Sequence, residues 1–194
     1  MKRPQIFTTI RTAHLAREQL RREVIALSDE ALSRSKRAIF ALHRDDRKAA
    51  QELFKDVDSL FVKTERLFKR VESLRFEGSY RAALEEYAEA LLFEQYILTG
   101  KIGTIHSRAM DPLVYLSGLS DTTGEIVRYT MRNITHEKTD RVVHARDTVE
   151  MIIEFMLDLD ATGYLRTKFD QAKGNLKRLD EMLYDLSIRK SVDV

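Results

Sequence analysis

Two acidic residues stand in a segment that otherwise has the composition of a buried helix. Residues 80–98 are apolar nearly all round, and Glu86 and Glu89 lie three positions apart within them. Residues at this spacing are neighbours on one helix face. Burying two like charges together is unfavourable unless a cation or a hydrogen-bond donor compensates them. The pair is therefore a candidate for binding a cation.

A second acidic pair, Asp121 and Glu125, lies four positions apart in a segment rich in small residues. Gly118 and Gly124 in that segment cost about 2 kcal/mol of helix propensity relative to alanine, which makes sense where another backbone or a ligand must come close. Two facing helices that each offer two carboxylates would form a site for a hard cation such as Mg²⁺ or Mn²⁺. The alternative is that the acids lie on solvated helix faces and that Arg128 neutralises Glu125 in an ion pair.

Several other chemistries are excluded by residue types and motifs that the sequence lacks. The chain has no cysteine, so disulfides, thiolate zinc sites and cysteine nucleophiles are ruled out. A di-iron bundle requires Glu-x-x-His on two helices, and none of the five histidines has an acidic residue three positions before it. Glycine-rich phosphate loops and Gly-x-Ser-x-Gly elbows do not occur either. We therefore expect the histidines to be surface or helix-end residues without a catalytic role.

Basic residues are concentrated in the first part of the chain. Residues 1–75 hold 18 Lys or Arg against 11 Asp or Glu, whereas the remainder holds 15 against 20. If the first predicted helix continues to Lys48, then Arg34, Arg37, Arg44 and Lys48 share one side of it. Arg75 adds charge after the second helix. Such a stripe suits the phosphate backbone of a nucleic acid, and a solvated basic face is the alternative.

The elements that position these residues are predicted to be helices. The chain has only 7 Gly and 2 Pro in 194 residues, too few turn-forming residues for an all-β fold. Apolar periodicity predicts an all-α fold of six to seven helices in a single domain that covers residues 1–194. The predicted helices run from Gln5 to Arg44, from Asp46 to Leu74, from Tyr80 to Leu98, from Asp111 to Asn133, from Asp140 to Leu159, and from Leu165 onward. No apolar run has the length of a membrane span or a signal peptide, so we expect a cytoplasmic protein without membrane contact.

Two of these helices carry more apolar surface than one small domain can cover. The first would be about 60 Å long at 1.5 Å per residue, against a radius of gyration of about 16 Å for a compact domain of this size. The last keeps an apolar seam at alternating spacings of four and three: Leu165, Phe169, Ala172, Leu176, Leu179, Leu183 and Leu186. We therefore expect part of this surface to contact another subunit.

Four segments together resemble the translin/Trax family, and more closely its Trax (translin-associated factor X) branch. They lie on predicted helices one, three, four and six, in the order found in that family, and cover nearly the whole chain. The segments are residues 35–44 (SKRAIFALHR), 85–90 (EEYAEA), 111–118 (DPLVYLSG) with 121–125 (DTTGE), and 184–189 (YDLSIR).

The resemblance implies a curved helical bundle that assembles into a closed octameric shell and binds single-stranded or short duplex nucleic acid. It further implies that Glu86, Glu89, Asp121 and Glu125 form the Mg²⁺-dependent endoribonuclease site of Trax subunits. Translin subunits lack the two glutamates of helix three and have a basic, aromatic and histidine-containing motif before that helix. This chain keeps Arg75 and Phe76 of that motif but has Glu77 and Ser79 where it has histidines.

The function that we predict is a Mg²⁺- or Mn²⁺-dependent endoribonuclease that acts on short RNA and forms a homo-oligomer, an octamer by the family resemblance. Its predicted partners are short duplex or single-stranded RNA and single-stranded DNA. One alternative is a non-catalytic, translin-like binder of single-stranded nucleic acid with a degenerate site. Another is a helical scaffold whose acids pair with arginines such as Arg128. A cleavage assay separates the first alternative from the enzyme, and the scaffold predicts no affinity for nucleic acid at low salt.

Overall fold

The computed structural model describes residues 4–133 and 139–192, with side chains of the last helix described up to Ile188. The described residues form six α-helices and one short 3₁₀ helix, Glu72–Phe76, and contain no strand. The α-helices are α1 (Gln5–His43), α2 (Arg47–Phe68), α3 (Gly78–Thr99), α4 (Pro112–Arg132), α5 (Thr139–Leu157) and α6 (Gly163–Val192). This confirms the predicted all-α fold. None of these helices is long and apolar enough to cross a membrane.

The helix that carries Asp121 and Glu125 begins where its sequence predicts. Asp111 is the N-cap of α4, and its Oδ1 accepts a hydrogen bond from the backbone N–H of Leu113 at 2.8 Å. Pro112 takes the first helical position, where a missing N–H leaves no hydrogen bond unmade. The local sequence therefore determines where α4 begins.

Helices α2 and α3 pack through aromatic side chains in the first of two compact units, which comprises residues 1–41 and 45–87. Phe61 of α2 lies 5.8 Å from Tyr80 and 5.5 Å from Tyr87 of α3, measured between ring centroids. Phe68 lies 4.8 Å from the ring of Tyr80, and Phe54 lies 6.0 Å from that of Tyr87. These rings belong to the core of the unit and hold the first half of α3 against α2.

The second unit, residues 42–44 and 88–194, contains the mutual packing of α4, α5 and α6. Its core includes Ile126 and Val127 of α4, Val142 and Val149 of α5, and Leu179 of α6. Four members of the predicted α6 seam are buried and the other three are partly buried, so the predicted packed face is confirmed. The prediction of a single domain over residues 1–194 stays a prediction.

Two predicted helix boundaries are wrong, and backbone conformation explains both. The second helix ends at Phe68 rather than near Leu74, because Val71 is extended (φ −145°) and a 3₁₀ helix follows. The third helix begins at Gly78 rather than at Tyr80, directly after the extended residue Glu77 (ψ 131°), so Ser79 lies within α3. The apolar pattern of residues 71–74 is real, since Leu74 is fully buried, but the 3₁₀ helix supplies that burial.

Candidate functional site

Asp121 and Glu125 are both partly buried on α4 and both paired with cations of the chain. The side chain of Asp121 is 26% exposed, and its Oδ2 is bound by the ammonium group of Lys168 on α6. The side chain of Glu125 is 18% exposed, and its Oε2 is bound by Nε2 of His43. Arg128 lies 3.6 Å from the same oxygen, as the ion-pair alternative predicted. The acids are therefore not on a fully solvated face.

The ammonium group of Lys168 is half buried beside Asp121. Burial alone would lower the pKa of Lys168, but the hydrogen bond and the negative charge of Asp121 outweigh it, so that the pKa lies above its usual 10.5. The lysine therefore stays charged at neutral pH, and the contact with Asp121 is an ion pair. A positive charge is thus stabilised beside the middle of α4.

Glu89 and Asp121 line one cavity of about 480 Å³ within the second unit. Its lining residues come from α3, α4 and α6: Glu89, Ser120, Asp121, Gly124, Gln171, Gly174, Asn175 and Arg178. The structure thus brings one acid of each predicted pair to the same cavity, which lies within the size range of about 300–1,000 Å³ that ligand sites occupy.

Small residues on α4 allow α6 to pack close to α4 beside the cavity. A Cβ added at Gly124 would lie 3.4 Å from Nδ2 of Asn175, so the glycine leaves little more than contact distance between the helices. That Nδ2 donates a hydrogen bond to Oγ1 of Thr123 at 2.8 Å. The hydroxyl of Ser120 donates to the backbone carbonyl of Lys168 at 2.7 Å. The close approach predicted from the small residues is therefore made by α6.

Helix α3 is tied to α4 at the position of Glu89. The hydroxyl of Thr122 donates to the backbone carbonyl oxygen of Glu89 at 3.4 Å and to that of Gly118 at 2.7 Å. Since Thr122 follows Asp121 directly, the backbone of α3 at Glu89 lies against α4 next to Asp121. The side chain of Glu89 is partly buried.

The other two predicted acids are placed differently. Glu86 belongs to the first unit, where its Oε2 lies 3.8 Å from Nζ of Lys36 and its side chain is 18% exposed. The lining of the cavity does not include Glu125. Among the residues described, no three His, Asp or Glu side chains converge into a group that could hold one metal ion. The carboxylate oxygens have the donor chemistry that Mg²⁺ or Mn²⁺ takes, and the four-ligand site stays a prediction.

His43 is the residue of this region that the sequence interpretation missed. It ends α1, as expected of a helix-end histidine, but its side chain is fully buried and hydrogen-bonded to Glu125. Its ring lies 4.8 Å from that of Phe93 and 6.2 Å from that of Tyr129. In the described part of the chain its Nδ1 is buried without a hydrogen-bond partner. A signal available in the sequence was its position four residues after the buried Ile39, on the apolar side of α1.

The predicted basic stripe is only partly available to a ligand. Helix α1 ends at His43, Asp45 adopts φ +59°, and Asp46 is the N-cap of α2. The assumption that the first helix continues to Lys48 was therefore wrong, because Lys48 lies on α2. Arg34 pairs with Glu30 at 2.6 Å and with Asp56 of α2. The remaining members, Arg37 and Arg44, are exposed on α1 and at its end.

Arg75 is held by the chain as well. Its guanidinium donates two hydrogen bonds to the carboxylate of Glu65, at 3.0 and 2.8 Å, and lies over the ring of Phe68 at 4.9 Å. The hydrogen bonds with Glu65 raise the pKa of Arg75 further above its usual value. The neighbouring Phe76 is 86% exposed.

These features define an all-helical protein whose second unit carries a cavity with carboxylates from α3 and α4 and hydrogen-bond donors from α6. The model of the translin family matches residues 19–190 of this sequence. The chain belongs to the translin family, as its sequence segments predicted.

Individual relatives agree with this assignment. Translin-associated protein X homolog of Schizosaccharomyces pombe (strain 972 / ATCC 24843) is 31% identical over 127 residues, and the match covers 58% of this chain and 55% of that protein. The chain thus spans about half the length of this relative.

Solved structures share the fold at low sequence identity. The crystal structure of apo-NeC3PO is similar with a TM-score of 0.84 and 21% identity, over 96% of this chain and 100% of that chain. The AfC3PO–duplex RNA complex gives a TM-score of 0.83 at 19% identity, over 95% of this chain and 98% of the other. The fold is therefore that of the C3PO chains.

Proposed function

We propose that this chain is a Mg²⁺-dependent endoribonuclease that cleaves short RNA inside an oligomeric shell. The observation that carries the proposal is the placement of Glu89 and Asp121 on one cavity in a chain of the translin family. The identity shared with a Trax homologue, and the similarity to a C3PO chain in complex with duplex RNA, support a nucleic-acid-binding or RNase-related role.

The proposed metal ligands are Glu89 and Asp121, together with Glu125 and Glu86. Glu125 lies one helical turn beyond Asp121 on α4, and Glu86 lies one turn before Glu89 on α3. Carboxylate oxygens are the donors that Mg²⁺ prefers, and Lys168 already marks the Asp121 position as favourable for a cation. When bound, Mg²⁺ supplies Lewis acidity and a water of lowered pKa. The carboxylates of the chain hold and orient that ion, and His43 fixes the carboxylate of Glu125.

The proposed partners are RNA, as short duplex or single strand, single-stranded DNA, and further copies of this chain. Residues 5–17 of α1 are exposed, and Ile6, Phe7, Ile10 and Leu15 among them are each more than half exposed. Such a surface is typical of a protein interface. We propose a closed homo-octamer, by resemblance to the family, with the acids and the basic residues facing inward.

One alternative is supported by a specific observation. Three of the four proposed metal ligands, Glu86, Asp121 and Glu125, lie beside a cation of the same chain. A non-catalytic, translin-like nucleic-acid-binding protein could use these pairs to hold its helices together. It would bind RNA and leave it intact in any divalent metal.

Cleavage of a fluorescently labelled short RNA tests the enzyme. The wild-type chain should cleave with Mg²⁺ and not with EDTA. Glu89→Gln or Asp121→Asn should abolish cleavage and leave RNA binding and assembly nearly intact, because each change removes a ligand charge and keeps the size and the hydrogen-bonding capacity of the side chain. Glu181→Gln is the matched control, since Glu181 is an exposed carboxylate of α6 whose side chain is 62% accessible.

The outcomes separate the candidates. Full activity of either site variant at saturating Mg²⁺ would remove its residue from the site. RNA binding without cleavage by the wild type in Mg²⁺ and in Mn²⁺ would establish the binding protein instead. Absence of RNA binding at low salt would exclude both.

A further inference from the structure

Helix α6 carries a polar stripe that is separate from its apolar seam. Lys168, Gln171, Asn175 and Arg178 follow one another at spacings of three, four and three, so they share one face of the helix. All four side chains offer N–H donors, and none of them is acidic. Three of them line the cavity that also contains Glu89 and Asp121, and the fourth, Lys168, pairs with Asp121. The cavity therefore has an acidic side and a side of hydrogen-bond donors.

Two of the four donor side chains of α6 connect this helix to α4, and the other two are available to a ligand. Asn175 donates to Thr123 and Lys168 binds Asp121, so these two side chains connect α6 to α4. In the part of the chain that the structure describes, the side chains of Gln171 and Arg178 make no hydrogen bond or ion pair. Both are exposed at the cavity. Gly174 lies between them, and nothing lies within 4 Å of the position where its Cβ would be. The two donors without a partner within the chain, Gln171 and Arg178, therefore flank an open surface of α6 at Gly174.

We propose that Gln171 and Arg178 bind the phosphate backbone of the RNA strand at this cavity. The inference rests on the proposed function, because the cavity is the one that carries the proposed metal ligands. A phosphodiester beside Glu89 and Asp121 meets like charge, and a cleavage site must offset that repulsion. The guanidinium of Arg178 can donate two parallel hydrogen bonds to phosphate oxygens, and the amide of Gln171 can donate to a phosphate or ribose oxygen. This assigns substrate contacts to α6 in addition to the basic residues of α1.

The test replaces single members of the donor stripe and compares them with an exposed lysine next to Arg178, which carries the same charge as that arginine. Arg178→Ala and Gln171→Ala are the test variants. Lys177→Ala is the control, since Lys177 is 79% exposed, lies next to Arg178 in sequence and does not line the cavity. Affinity for a short fluorescein-labelled single-stranded RNA is measured by anisotropy in EDTA. Mn²⁺ binding in the absence of RNA is measured by titration calorimetry, and kcat and KM for cleavage are measured in Mg²⁺.

We expect Arg178→Ala to weaken RNA binding about tenfold, as removal of a hydrogen bond to a charged group does. KM should rise by a similar factor, and Mn²⁺ binding should not weaken. Gln171→Ala should weaken RNA binding less, and Lys177→Ala should stay within about twofold of wild type, as expected for an exposed surface charge. Circular dichroism and light scattering confirm that each variant is folded and assembled. If Arg178→Ala is misassembled, Arg178→Gln, which keeps the stem and an amide donor, takes its place.

Equal RNA affinity of the Arg178 and Lys177 variants would overturn this inference. If the wild type cleaves while the two variants behave alike, the proposed function stands and α6 does not contact the substrate. If the wild type binds RNA without cleaving it and Arg178→Ala still binds more weakly, the enzyme is excluded and the phosphate contact is supported.

Discussion

The contact between His43 and Glu125 can be measured as a coupling free energy. His43 is fully buried and Glu125 is 18% exposed, and the two are joined by a hydrogen bond between Nε2 and a carboxylate oxygen. An ionised carboxylate only accepts hydrogen bonds, so Nε2 is the donor. A hydrogen bond to a charged group contributes about 1.5–3 kcal/mol to stability. Because Arg128 lies 3.6 Å from the same oxygen and remains after mutation, we expect the lower end, about 1.5 kcal/mol.

A single substitution would not isolate this value. His43→Leu removes the donor, but it also removes the buried Nδ1, whose lack of a partner is itself unfavourable by about 1–3 kcal/mol. The two effects oppose each other, so the net change in unfolding free energy can be small. A double-mutant cycle with His43→Leu, Glu125→Ala and the double variant cancels the terms that do not involve the pair. His43→Gln keeps an N–H donor near the position of Nε2 and should retain part of the coupling.

The assay is urea unfolding followed by circular dichroism, at one fixed protein concentration because assembly would add to apparent stability. The cycle should give a coupling free energy of about 1.5 kcal/mol that favours the wild-type pair. A coupling below about 0.5 kcal/mol is indistinguishable from simple additivity. That result would mean that Arg128 or water replaces His43, and that His43 does not fix Glu125.

Two further predictions concern the basic residues of α1 and the assembly. Replacing Arg37 and Arg44 by Ala should weaken binding of unrelated RNA sequences alike and reduce the salt dependence by about 0.7 for each phosphate that the variant no longer neutralises. Arg34→Ala should change binding less, because Arg34 is paired within the chain, and an unchanged salt slope for all three would show that this side of α1 does not face RNA. Light scattering at micromolar concentration should give a mass several times the 22.6 kDa of one chain, and a mass equal to one chain would contradict the shell.

The sequence predicted the features that depend on neighbouring residues. The start of α4 follows from Asp111 and Pro112, which act within one helical turn. The packed face of α6 follows from apolar spacing, which the helix geometry converts directly into one side. The ends of α1 and α2 were harder to predict from the sequence, because no glycine or proline marks the backbone conformations of Asp45 and Val71.

The pairing of the site residues could not be predicted in the same way. His43 and Glu125 are 82 positions apart in sequence, and Lys168 and Asp121 are 47 apart. Helical spacing relates residues three or four positions apart and carries no information on which distant cation meets an acid. For this reason the sequence identified only one ion-pair partner for the four acids. That partner is Arg128, which lies three positions from Glu125.

The donor stripe of α6 bears on how an acidic cavity can accept a polyanion. At an effective dielectric constant near 20, two unit charges at 4 Å interact by about 4 kcal/mol. The repulsion between two carboxylates and a phosphate could therefore exceed the free energy of about 1.5–3 kcal/mol that a single hydrogen bond to a charged group contributes. Lys168 neutralises Asp121 before any ligand arrives, and Arg178 adds a second positive charge on the same helix. Helix α6 therefore places two positive charges beside the two carboxylates of the cavity, and these charges reduce the repulsion that a phosphate meets there.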